Sequence, residues 1–152
     1  MDTLGQYLLV FILAATPWIE LLLVIPAGLG LGLNPIAVAV LAYTGNAAPV
    51  FLIVYGYQAW QNLRGSSRGA DFGSASKRRQ RALKIWNRYG LPGLALLGPL
   101  LTGIHLATAI ALIFKPGKKS LLGWMNLSLL LWTMGVTVSV YFGLEGWRYI
   151  AG

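Results

Sequence analysis

Glu20 stands in the run Pro17-Trp18-Ile19-Glu20-Leu21-Leu22-Leu23-Val24-Ile25-Pro26-Ala27-Gly28. No other Asp, Glu, Lys, Arg or His lies between Asp2 and Arg64. A carboxyl group among apolar residues is expensive to keep in hydrocarbon, so such groups line a bundle interior or an ion path. Taking up and releasing a proton there is what proton-coupled transport needs. His105, the only histidine, follows Thr102 by three residues and is a second group able to exchange protons. Between Ile104 and Leu106 it also fits the commoner part of a structural donor. Thr102 and Gly103 offer a hydroxyl and free backbone, or plain local capping. Asn46, after Gly45, is an amide in an apolar run that either joins helices or belongs to a site. Glu20, Asn46, Thr102 and His105 are therefore the candidate transport or proton-binding residues.

Other chemistry is poorly served. With no cysteine, disulfides, thiolate metal sites and cysteine nucleophiles are excluded. There is no His-Glu-x-x-His pair and no nucleophile-elbow serine. Gly28-x-Gly30-x-Gly32 lacks the Lys-Ser/Thr of a phosphate loop and reads as close helix packing. No enzyme activity, metal or cofactor is expected.

The elements that hold these residues belong to a bilayer. Of 152 residues, 57% are hydrophobic and 11% charged. The low-charge runs Leu4–Tyr57, Leu91–Phe114 and Leu121–Leu144 are each long enough for a membrane element. The expected class is an all-α integral membrane protein, 1–152 forming one membrane domain. Net charge is +8, and eight of the twelve basic residues lie between Arg64 and Arg88. The positive-inside rule accounts for them better than nucleic acid does, because aromatics are not interleaved with the basic run. Met1-Asp2-Thr3 carries no positive charge, so a cleaved signal peptide is not expected.

In chain order, Leu4 to Ala15 reaches about 18 Å, short of the roughly 30 Å hydrocarbon core. Pro17 follows, then a second apolar arm to Leu33, loosened by Gly28, Gly30 and Gly32 and ended by Asn34-Pro35. Either Leu4–Pro26 is one kinked span, or the arms form a re-entrant hairpin over 4–33. Residues 35–58 make a span interrupted by Thr44-Gly45-Asn46 and Pro49. Residues 61–89 hold a Gly/Ser/Arg-rich loop and a basic amphipathic helix. On that helix Lys77, Arg78, Arg81, Lys84 and Arg88 suit an anionic membrane surface. A second interrupted stretch over 90–114 is broken at Pro92, Gly98-Pro99 and Thr102-Gly103. A last span covers 120–144. Pro17, Pro26, Pro99 and Gly103 are the expected helix breaks.

The halves, 1–60 and 90–152, resemble each other. Pro17 and Pro35 are eighteen positions apart, Pro99 and Pro116 seventeen, and each pair is followed by a span. Interrupted hydrophobic segments in matching positions point to a transport site at a repeat interface. If each half is a re-entrant hairpin plus a span, with the central loop cytoplasmic, only Arg148 of the basic residues lies outside. Four ordinary spans would instead put Lys115, Lys118 and Lys119 outside. The charge pattern favours two inverted halves.

These residues resemble the small multidrug export proteins. The resemblance rests on Pro17-x-x-Glu20-x-x-x-x-Ile25-Pro26-x-Gly28 and on Gly45-Asn46-x-x-Pro49-Val50. It extends to Tyr89-Gly90-x-x-Gly93-Leu94 and Pro99-x-x-Thr102-Gly103, and so covers most of Pro17 to Leu112. It implies a transporter in a bacterial-type plasma membrane, and a distant link to the DedA/VTT superfamily of opposed re-entrant helices. Where the family pattern would place an arginine soon after the glutamate, Leu21 and Leu22 follow. That leaves Glu20 without the neighbouring counter-charge and suits a protonatable group. The leading expectation is proton-coupled export of small amphipathic compounds. The alternative is a lipid or polyprenyl-phosphate translocase. Expected partners are membrane lipids, a small-molecule or lipid substrate and a second copy in a homodimer, with no nucleic acid.

Overall fold

The computed structural model describes residues 2–17, 19–64 and 77–151; at 64, 77–85, 87 and 151 the description covers backbone alone. Six helices make up the described chain: α1 Thr3–Ala15, α2 Leu21–Gly30, α3 Pro35–Arg64, α4 Lys77–Leu101, α5 Ile104–Ile113 and α6 Lys118–Ala151. Two compact units divide them, 1–48 with 129–152, and 49–128. Each unit holds a pair of short helical segments and a part of both long helices.

In the first unit, α1 ends because Pro17 follows. The residue before a proline is pushed out of the helical region, and Thr16 is extended at φ −80, ψ 122. Its hydroxyl donates to the Ile12 carbonyl at 2.8 Å. Glu20 is extended too, at φ −102, ψ 173, and its carbonyl starts α2 by accepting from Leu23 and Val24. Thus α1 and α2 are separate helices, in contact with each other. At 13 and 10 residues they are about 20 and 15 Å long. Gly32, at φ +76, closes α2: its amide bonds Leu29 O at 3.0 Å and Leu33 N bonds Gly28 O at 3.2 Å. This is the Schellman pattern, in which glycine takes the left-handed position. Asn34 then caps α3, its Oδ1 accepting from Ile36 and Ala37, with Pro35 at the first helical position. The Asn34 amide donates to the Tyr7 hydroxyl at 3.1 Å, which ties this turn to α1.

In the second unit, α4 is two helices joined at a kink. Gly90 sits at φ 62, ψ −154, separating the basic stretch 77–89 from an apolar arm 91–101. Trp86 stacks on Phe114 with ring centroids 4.1 Å apart, so the basic stretch is docked on the end of α5. Arg88 is exposed, whereas Lys77, Arg78, Arg81 and Lys84 lie where only backbone is described. Lys118 Nζ lies 3.5 Å over the Tyr55 ring, a cation–π contact between the start of α6 and the later part of α3.

Two sequence expectations are corrected. Gly45 and Pro49 do not interrupt α3, which runs unbroken for 30 residues. The missing Gly45 side chain serves packing instead: a β-carbon there would stand 2.7 Å from Ala14 Cβ and from Phe11 O. Pro26 and Pro99 likewise lie inside α2 and α4. A proline frees the carbonyl four residues back, here Ala95 O for Pro99, and the Ser128 hydroxyl of α6 donates to it at 2.7 Å. Hydroxyl side chains re-satisfy freed carbonyls in this way in membrane helices. Ser128→Ala should therefore lower the thermal midpoint in detergent, by a loss of about 1–3 kcal/mol for an orphaned buried carbonyl. Thermal unfolding of the purified variant checks this.

The long helices α3 and α6 are the two candidate spans, over Pro35–Leu63 and Lys118–Ile150, both longer than the sequence pattern predicted. Only 17% of the most apolar window of α6 is buried. Leu127, Leu130, Leu131, Met134, Val138 and Phe142 face outward. A bilayer is the solvent in which such a surface is at home.

Candidate functional site

Glu20 is the N-cap residue of α2, 7% exposed. Its side chain does not cap the helix it precedes. Leu21, Val24 and Ile25 beside it in sequence are buried. Pro17 and the extended Thr16 create the break; without them the carboxyl group would ride on a continuous helix.

Asn46 belongs to the same unit. It is fully buried, and its Nδ2 donates to Ala42 O at 2.9 Å. Its Oδ1 has no hydrogen-bond partner among the described residues. Gly45, next to it, is the residue pressed on Phe11–Ala15. The Asn46 turn of α3 therefore lies against the last turn of α1, directly before the break that carries Glu20.

Thr102 and His105 share the second unit, at the break between α4 and α5. Gly103 is at φ 86, ψ 145, a conformation that side chains resist. The amides of Thr102 and Gly103 both converge on Gly98 O, at 3.0 and 2.7 Å. The Thr102 hydroxyl lies 3.4 Å from that oxygen and 3.3 Å from Gly103 O. Local capping thus occupies Thr102. His105, 5% exposed, is the second residue of α5. Gly98 permits the close approach of the two arms, since a β-carbon there would stand 2.8 Å from Ala107 Cβ. Gly103→Ala should lower stability by about 1–3 kcal/mol from backbone strain alone, read as a fall in midpoint with no change in secondary-structure content.

Glu20 and His105 are the buried titratable side chains among the described residues. Elsewhere the Glu145–Arg148 pair, at 3.2 Å, is exposed and contributes little. No cluster of three His, Cys, Asp or Glu side chains that could hold a metal occurs among the described residues. Sequence reading passed over Thr133 and Thr137, whose hydroxyl oxygens are buried.

The described chain is all-helical, with two helices long and apolar enough to cross a membrane. More particularly, the chain belongs to the family described as Putative small multi-drug export protein, which matches residues 20–134. No curated protein and no solved structure matches the chain. Membership points to a membrane transporter rather than an enzyme.

Proposed function

We propose that the chain is a proton-coupled exporter of small amphipathic compounds, with Glu20 as the group that binds the proton and meets the substrate. The observation that carries this is a carboxyl group, 7% exposed, at a non-helical break between two helices of 13 and 10 residues. Neither helix is long enough to cross a roughly 30 Å core. Broken helices at membrane depth place backbone and charge where a substrate passes.

The order short helix, break, short helix, long helix occurs twice, ending in α3 and again in α6. This supports two inverted halves, each a re-entrant hairpin plus a span. The second break would then bring Thr102, Gly103 and His105 to the pathway. The basic stretch before Gly90 and the lysines at Lys115, Lys118 and Lys119 would face the cytoplasm of a bacterial-type plasma membrane, in contact with anionic lipid.

The test is reconstitution of the purified chain in liposomes with a cationic amphipathic dye such as ethidium. Dye movement against its gradient, driven by an imposed pH difference and accompanied by proton counterflow, supports the proposal. Scrambling of a fluorescent phospholipid that needs no pH difference, without dye movement, would replace it with the lipid-translocase reading.

A further inference from the structure

Thr133 and Thr137 lie one turn apart on α6, on one face. Leu129, a turn earlier on that face, is fully buried, and Thr133 is 3% exposed. The hydroxyl oxygens of both threonines are buried with no hydrogen-bond partner among the described residues. A helical threonine ordinarily solves this locally, by donating to the carbonyl four residues back. Among the described residues Thr16 does so to Ile12 O at 2.8 Å, Thr44 to Val40 O at 2.7 Å, Thr102 to Gly98 O at 3.4 Å and Thr108 to Ile104 O at 2.7 Å. Thr133 and Thr137 do not, so their hydroxyls keep their full bonding capacity.

The same compact unit, 1–48 with 129–152, contains Asn46 and Glu20. Asn46 Oδ1 is in the same condition as the threonines, buried and without an acceptor role. Three uncommitted oxygens from α3 and α6 therefore share a unit with its only buried carboxyl group among the described residues. Buried polar atoms left unmatched are costly and rare in folded proteins, and such atoms mark places where a small hydrogen-bonding species enters.

We infer that Thr133, Thr137 and Asn46 form a polar track that hydrogen-bonds water and passes protons to and from Glu20. The inference rests on the reading of Glu20 as the proton-binding group. Each threonine hydroxyl takes a proton from the water behind it as it gives its own to the water ahead, so one O–H bond forms as another breaks and the side chain ends unchanged. The arriving proton converts the Glu20 carboxylate to the acid; on release it returns to water.

The test uses the full chain in liposomes and infrared spectroscopy. A carboxylic-acid carbonyl band that vanishes in Glu20→Gln identifies the protonated side chain, and its shift in heavy water times proton exchange. The Thr133→Val/Thr137→Val variant keeps shape and removes both hydroxyls. Exchange should slow by roughly tenfold, the effect of raising the transfer barrier by about one buried hydrogen bond. Thr133→Ser/Thr137→Ser should restore the wild-type rate, and the valine variant should hold or raise the thermal midpoint. Should the double variant fail to fold, Thr137→Val alone gives the same readout with a smaller slowing. Exchange at the wild-type rate in a folded valine variant would overturn the track and leave the Glu20 reading standing. A lowered midpoint with unchanged exchange would make the threonines structural and overturn it as well. Absence of any Glu20-dependent band would overturn the Glu20 reading and the track together.

Discussion

Glu20→Gln should abolish pH-driven dye export, a fall of roughly two orders of magnitude or more, and leave the protein folded. Glutamine keeps the length and the hydrogen-bonding oxygen of glutamate but cannot exchange a proton. A buried ionisable group is tolerated in a membrane segment when it works there, and the amide is cheaper to bury than the carboxylate. The thermal midpoint of the variant should therefore equal or exceed that of the wild type. Glu20→Asp retains the exchangeable proton on a shorter arm and should recover part of the transport. Dye accumulation in liposomes measured for the three proteins separates the cases. Unchanged export in Glu20→Gln would remove Glu20 from the mechanism.

The second large effect is on the fold. Gly45→Val places a β-carbon 2.7 Å from both Ala14 Cβ and Phe11 O. Neither neighbour is the end of a flexible chain, so α1 must move off α3. Overpacking of this kind costs about 1–3 kcal/mol for a small excess of volume, and valine adds two further methyl groups. The break that carries Glu20 hangs from the displaced turn, so transport should fall together with the thermal midpoint. Gly143→Ala is the control, because nothing lies within 4 Å of a β-carbon there. It should be neutral or stabilising by about 0.4–1 kcal/mol. A Gly45→Val protein with wild-type stability would show that the α1–α3 contact is not needed.

Much of this fold was legible in the sequence. Length and apolarity announced α3 and α6, and Pro17 announced the break after α1. Gly103 announced the other as an expected break, and its positive φ shows in the structure. Asn34-Pro35 marks the end of the apolar arm in the sequence, whereas its part as the cap of α3 shows only in the fold. What could not be read depended on partners distant in sequence. Pro99 breaks a helix unless something satisfies Ala95 O, and that something, Ser128, lies 33 residues from Ala95. Gly45 is a helix weakener by propensity and a packing surface once Ala14 stands opposite it. The candidate site was legible as far as Glu20 and Asn46, conspicuous polar groups in apolar runs. Thr133 and Thr137 were not, because a threonine in a span usually bonds its own helix. Only burial without a partner singles them out.

In the proposed arrangement α1–α2 and the two arms around Gly103 each enter and leave the membrane on one side, with α3 and α6 alone crossing. The absence of cysteine makes every introduced thiol a lone reporter. Single cysteines at Thr3, Asn34, Ser66, Lys118 and Gly152 would be labelled with a membrane-impermeant reagent in intact cells and in inverted vesicles. Thr3, Asn34 and Gly152 should label from the outside, and Ser66 and Lys118 from the inside. Thr3 and Asn34 on opposite faces, or Ser66 and Lys118 on opposite faces, would contradict it.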